Sequence, residues 1–276
     1  MLRSACLTSL RTALIGAVVV LALAGCDKKE KPYVERPAED LYNDAMDAVL
    51  VEEYVEANDL FQEVERQHPY SVWATKAQLM AAYASYVRGS YDDAVLALDR
   101  FIELHPGNRD VSYAYYLKAL AYYEQISDVG RDQRMTERAL ASLEEVTRRF
   151  PDSKYSRDAR LKLDLVRDHL AGKEMEVGRY YLTRGYYLAA INRFRNVVDK
   201  YQTTTHAPEA LHRLAEAYSA LGIAPEARQS AAVLGHNFPG SDWYIDSYEM
   251  VEGKKVERPG VPTDNEPGFF GRLWPF

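Results

Sequence analysis

Only two cysteines occur in the 276 residues, Cys6 and Cys26. If the first is removed and the second acylated, as argued below, the mature chain has neither a disulfide nor a free thiol. Metal-ligand spacing is missing as well. The six histidines (His68, His105, His169, His206, His212 and His236) form no H-E-x-x-H or comparable pattern. There is no G-x-S-x-G and no glycine-rich phosphate loop. Acid pairs such as Asp92-Asp93 and Glu144-Glu145 sit at adjacent helical positions and point in different directions, so they read as solvated surface. The sequence therefore predicts no catalytic residue, no metal and no cofactor. A basic stripe is also lacking. Net charge is −7, and the first 25 residues contribute only Arg3 and Arg11, so the remainder carries −9. Phosphate binding needs clustered Lys and Arg, which argues against a nucleic-acid partner. The apolar run at 13–24 is too short to span a bilayer.

That short run does have a use. Arg3 and Arg11 precede it, and Leu23-Ala24-Gly25-Cys26 follows it. A basic n-region, an apolar h-region and a small-residue cleavage site define a secretory signal over residues 1–25. The tetrapeptide resembles the lipobox of bacterial lipoproteins, which implies that Cys26 becomes the N-palmitoyl and S-diacylglycerol cysteine of the mature protein. Residues 26–38 are charged and contain Pro32 and Pro37, as an acylated tether would.

The rest is dominated by small residues in register. Ala45, Ala57 and Pro69 are spaced 12 and 12, as are Ala82, Ala94 and Pro106, and Ala215, Ala227 and Pro239. Ala139 and Pro151 repeat the second half of this spacing. Gly178 and Ala190 repeat the first, with Gln202 at the proline position. Gly89, Gly185 and Gly222 each fall seven residues after the first small residue, at the turn between two helices. A large apolar residue follows the second small one by four: Phe61, Leu98, Leu143 and Phe194. Paired antiparallel helices at this period are the tetratricopeptide (TPR) pattern. The predicted fold is all-α, a solenoid of about five TPR pairs. Residues 39–155 hold repeats one to three, and 156–250 hold repeats four and five. Ala121 and Ala139 are 18 apart instead of 12, an insertion of six residues in the inter-helix turn of repeat three. Periodicity without proline from Ser156 to Thr183 predicts one long helix, or two nearly continuous ones around Ala171-Gly172. A short capping helix is expected over 243–250. Residues 251–276 read as a disordered tail with an apolar end. Tyrosine is frequent, at 21. The rings suit repeat packing, or a concave groove for a peptide partner.

Particular segments resemble the BamD family, lipoproteins of the outer-membrane β-barrel assembly (Bam) machinery. They are AQLMAAYASY at 77–86, LDRFIELHP at 98–106, RFPDSKYSRDA at 149–159 and GRYYLTRGYYLAAINRF at 178–194. The resemblance implies a periplasmic adaptor anchored to the outer membrane by its lipid. The implied partners are the last POTRA domain of BamA, other Bam lipoproteins and unfolded β-barrel precursors. Asn192 and Arg193 match the family pair that faces BamA. Arg100 matches a residue of the N-terminal, substrate-side groove, where a family tyrosine is replaced by His68. Asp27, directly after the lipidated cysteine, resembles an inner-membrane retention signal of enteric lipoproteins. The alternative reading is another periplasmic TPR lipoprotein serving cell-wall or polysaccharide machinery.

Overall fold

A computed structural model describes residues 35–254. The predicted signal, Cys26 and most of the tether lie outside them, as does the tail from residue 255. Among the described residues there are eleven helices and no strand. Repeat one is α1 (Ala38–Leu50) and α2 (Tyr54–Gln67); repeat two is α3 (Val72–Val87) and α4 (Tyr91–Leu104). Repeat three is α5 (Val111–Tyr123) and α6 (Arg134–Arg149), and repeat four is α7 (Lys154–Thr183) and α8 (Tyr187–Lys200). Repeat five is α9 (Ala207–Ala220) and α10 (Ala224–Asn237), followed by α11 (Asp242–Glu252). Val251 and Glu252 complete α11, so the helical part runs two residues further than expected.

The small residues lie where the helices touch. Ala45, Ala57, Ala82, Ala94, Ala121, Ala139, Ala190 and Ala215 are fully buried. Phe61, Leu98, Leu143 and Phe194 fill the space beside them. At Gly178 the approach is very close: a Cβ there would sit 2.4 Å from the Phe194 ring. Only a residue without a side chain allows α7 and α8 this spacing.

Proline and serine together punctuate the repeats. The residue before proline is pushed out of the α region. His68, His105, Phe150 and Phe238 close their helices before proline with φ between −129° and −135°, and Tyr201 closes α8 at −129° before Gln202, so the repeat packing holds this conformation even without proline. Two residues after the proline, Ser71, Ser153 and Ser241 cap the next helix, their Oγ atoms accepting from the N–H groups of Ala74, Ser156 and Tyr244 at 3.0, 3.1 and 3.2 Å. This Pro-x-Ser signal stands in the sequence three times. It supplies a hydroxyl acceptor to an otherwise orphaned N-terminal donor.

The turns inside repeats one, two, four and five are Schellman motifs. Ser90 N–H donates to Ser85 O, Tyr186 N–H to Tyr181 O and Ile223 N–H to Tyr218 O, each at 2.9 Å. The residue before each donor is Gly89, Gly185 or Gly222, with φ of +82°, +76° and +73°. Repeat one makes the same turn, Glu53 N–H donating to Ala48 O at 2.9 Å, but places Glu52 at φ +64°. An L-residue there is strained by about 1–2 kcal/mol. Glycine in the unfolded chain costs part of this relief. Glu52→Gly should therefore raise stability by about 0.5–1 kcal/mol. Urea unfolding followed by circular dichroism measures it, and a loss of stability would show that no strain is stored there.

The helix α7 is continuous through Ala171-Gly172, and it belongs to two cores. Ala159, Leu163, Val166 and Leu170 pack with Ala139, Leu143 and Val146 of α6. Ala171 and Met175 pack with Ala190 and Phe194 of α8 and with Ala210 and Leu214 of α9. The six-residue insertion folds back on its middle. Lys173 Nζ donates to Gly130 O at 3.2 Å, and Val129 lies over Gly172.

Most tyrosines fill gaps between helices. Tyr116 stacks on Tyr155 with centroids 5.2 Å apart, and its hydroxyl donates to Asp158. Burial first, and the Asp158 carboxylate after it, push the Tyr116 hydroxyl well above its ordinary value. Tyr70, Tyr180 and Tyr186 are exposed.

Candidate partner-binding surfaces

Two regions carry the residues singled out in the sequence. The first is a groove of about 1110 Å³ walled by α2, α3 and α4. Arg100 lines it. Its Nη2 donates to Glu65 Oε1 at 2.5 Å, and Gln78 Nε2 donates to the same oxygen at 3.0 Å. His105 Nε2 is 2.9 Å from Gln78 Oε1, and its ring packs on Phe101. A polar chain thus runs Arg100, Glu65, Gln78, His105 along the groove floor and out to the end of α4. On the rim, hydrogen bonds from Arg66 and Gln67 lower the Glu63 carboxyl to about 2. Asp59, Glu63, Glu65 and Asp93 outnumber Arg66 and Arg100 among the lining residues, and Leu96 offers an exposed apolar platform. Such a surface suits a polypeptide with free N–H donors better than an anion. His68 is half-buried at the C-terminus of α2. The groove lining passes through its neighbour Pro69 and does not include His68 itself.

The second region is an exposed stripe of α8 in repeat four. Asn192 is exposed on α8, and Leu188, one turn earlier, is 69% exposed. Arg193 lies beside this stripe, its side chain 42% exposed. Its Nη1 meets Glu174 of α7 at 3.3 and 3.4 Å, and Asn196 Nδ2 reaches the same carboxylate at 3.4 Å. The fold brings Asn192 and Arg193 together on repeat four. Arg100 stands apart, on repeat two. Sequence reasoning missed Glu174 and Leu188.

A third polar cluster secures the C-terminal end. Arg179 of α7 gives Nε and Nη2 to the two oxygens of Glu209, at 2.8 and 3.0 Å. Burial raises the Glu209 carboxyl, but Arg179 and Arg213 outweigh it and leave the value lowered. His212 Nδ1 is 2.8 Å from the buried Ser247 Oγ of α11, and its ring packs against Trp243. Burial first, then the Arg213 charge, lower the His212 imidazole below its ordinary 6.5, against opposing Glu216, Asp246 and Glu209. The folded state therefore prefers neutral His212. Its contribution is fully present above the ordinary value and is lost as pH falls below it. Hydrogen exchange should show α11 amides less protected at pH 5 than at pH 7.5, and His212→Gln should remove most of the difference. Equal protection at both pH values would mean that His212 does not hold the cap.

Among the described residues no helix is long and apolar enough to cross a membrane, and no group of three or more His, Cys, Asp or Glu could hold a metal ion.

The family model of the YfiO outer membrane lipoproteins matches residues 34–234. The chain belongs to this family. Its curated relatives are the BamD assembly factors. Outer membrane protein assembly factor BamD of Caulobacter vibrioides is 52% identical over 252 residues, covering 90% of this chain and 82% of the relative. The protein of the same name from Rickettsia prowazekii is 46% identical over 247 residues, covering 89% and 98%. Among solved structures, the TPR2AB domain of yeast Sti1 in complex with an Hsp90 peptide shares 14% identity over 78% of this chain and 84% of its own, with a TM-score of 0.40. Both surfaces described above fall within the span that the YfiO model matches.

Proposed function

We propose that this protein is an outer membrane protein assembly factor, a lipid-anchored TPR scaffold of the Bam complex and not an enzyme. It holds BamA through its C-terminal repeats and meets unfolded β-barrel precursors with its N-terminal groove. The observation that carries this reading is 46% identity spanning 98% of a named BamD factor. Arg193 and Asn192 on repeat four support the BamA side. The acid-rich groove around Arg100, with Leu96 on its face, supports the precursor side. A TPR solenoid supplies binding surface along its whole length.

The test is co-purification from detergent-solubilised envelopes. BamA should dominate the recovered proteins; its absence, with cell-wall or polysaccharide machinery in its place, would reject the reading. The anchor is tested separately. Each acyl chain contributes about 0.8 kcal/mol per buried CH₂, so several chains hold the protein firmly. Cys26→Ser should leave an unprocessed or soluble protein that takes up no labelled fatty acid. Labelling that persists would place the lipid elsewhere.

A further inference from the structure

Arg179 on α7 and Arg193, which faces α7 from α8, use their guanidinium groups differently. Arg179 spends its Nε–Nη2 edge on both oxygens of Glu209. That is a closed bidentate fork, a clamp between repeats four and five. Arg193 engages Glu174 through Nη1 alone. No hydrogen bond among the described residues uses its Nε or Nη2, and the side chain is 42% exposed. The edge best shaped for bidentate recognition is left open. Glu174 is the less exposed partner, at 22%, and belongs to the helix shared by two cores. Asn196 steadies the same carboxylate.

We infer that Glu174 is a positioning residue for Arg193: it fixes the guanidinium by one corner and aims the open Nε–Nη2 edge at an acceptor on the partner. This rests on the reading that Arg193 contacts BamA. A flexible arginine loses rotamer freedom when it docks, and a group already held in place loses less. A competing carboxylate would occupy the open edge instead, as Glu209 does on Arg179. Glu174 does not.

The experiment is a double-mutant cycle in the full-length lipidated protein, titrated in detergent against the periplasmic region of BamA. The variants are Glu174→Gln, Arg193→Ala and the two combined. Arg193→Ala should weaken binding about a hundredfold, as for an interface hot spot. Glu174→Gln should weaken it about tenfold and have no further effect in the Arg193→Ala background. Melting should be unchanged by Glu174→Gln. The Arg193 Nε–Hε resonance should broaden or average, which a packing defect elsewhere would not cause. An equal loss in both backgrounds would make Glu174 a direct contact or a general structural residue and overturn the inference. Unchanged or tighter binding by Glu174→Gln would overturn it too. If Arg193→Ala itself binds normally, the BamA contact proposed above fails and the inference falls with it. The single variants thus tell the two failures apart.

Discussion

Arg193→Glu is expected to weaken BamA binding by about 2–5 kcal/mol, roughly a factor of 30 or more, because attraction becomes repulsion and a partner group is left unpaired. Position 193 sits three residues past Ala190, at the edge of the buried face of α8, so the substitution does not disturb the core. It does bring a second carboxylate against Glu174. Both side chains are partly exposed, at 42% and 22%, and water screens most of that repulsion. Exposed pairs of this kind are worth about 0–1 kcal/mol. Binding should therefore fall far more than folding stability. Titration against the last POTRA domain, with helicity checked by circular dichroism, measures both. Wild-type affinity in a normally folded variant would remove Arg193 from the interface.

The largest effect on stability is expected at Phe194. The ring is fully buried and lies against Gly178, Ala190 and Met175 in one cluster. Phe194→Ala should cost about 3–5 kcal/mol from lost transfer energy and the cavity left behind. Gly178→Ala should cost about 1–3 kcal/mol for the opposite reason, since its Cβ would overlap the ring. The two effects are coupled. With the ring gone, a methyl group at 178 has space, and its penalty should largely vanish. Urea denaturation of the two single variants and the double variant tests this. A penalty at 178 that is the same in both backgrounds would mean that the backbone, not the ring, limits the approach of α7 and α8.

The repeat architecture was legible because the spacing of 12 is a geometric requirement. Two antiparallel helices touch where both side chains are small, and every alanine in that register is buried. The long α7 was legible because nothing in its sequence stops a helix between Ser153 and Gly185. Repeat one hid its turn, since Glu52 occupies a conformation that the sequence advertises only through glycine. The Pro-x-Ser caps were present in the sequence and went unread. The ion pairs between helices were not legible at all. Glu65 is 35 residues from Arg100, and Glu174 is 19 from Arg193. Their meeting depends on how the helices rotate against one another, which residue spacing within a single helix does not encode. The register placed Arg193 at the edge of the buried face but said nothing of which carboxylate would hold it.

In a chain of stacked repeats, stability is close to a sum of local terms, and melting can start at either end and travel. The thirty residues of α7, about 45 Å at 1.5 Å per residue, break that independence. Its first half completes one hydrophobic cluster and its second half completes the next. Repeat four cannot unwind without stripping repeat three of Leu163 and Val166, nor repeat three without uncovering the same two side chains of α7. The two are therefore coupled into one cooperative block.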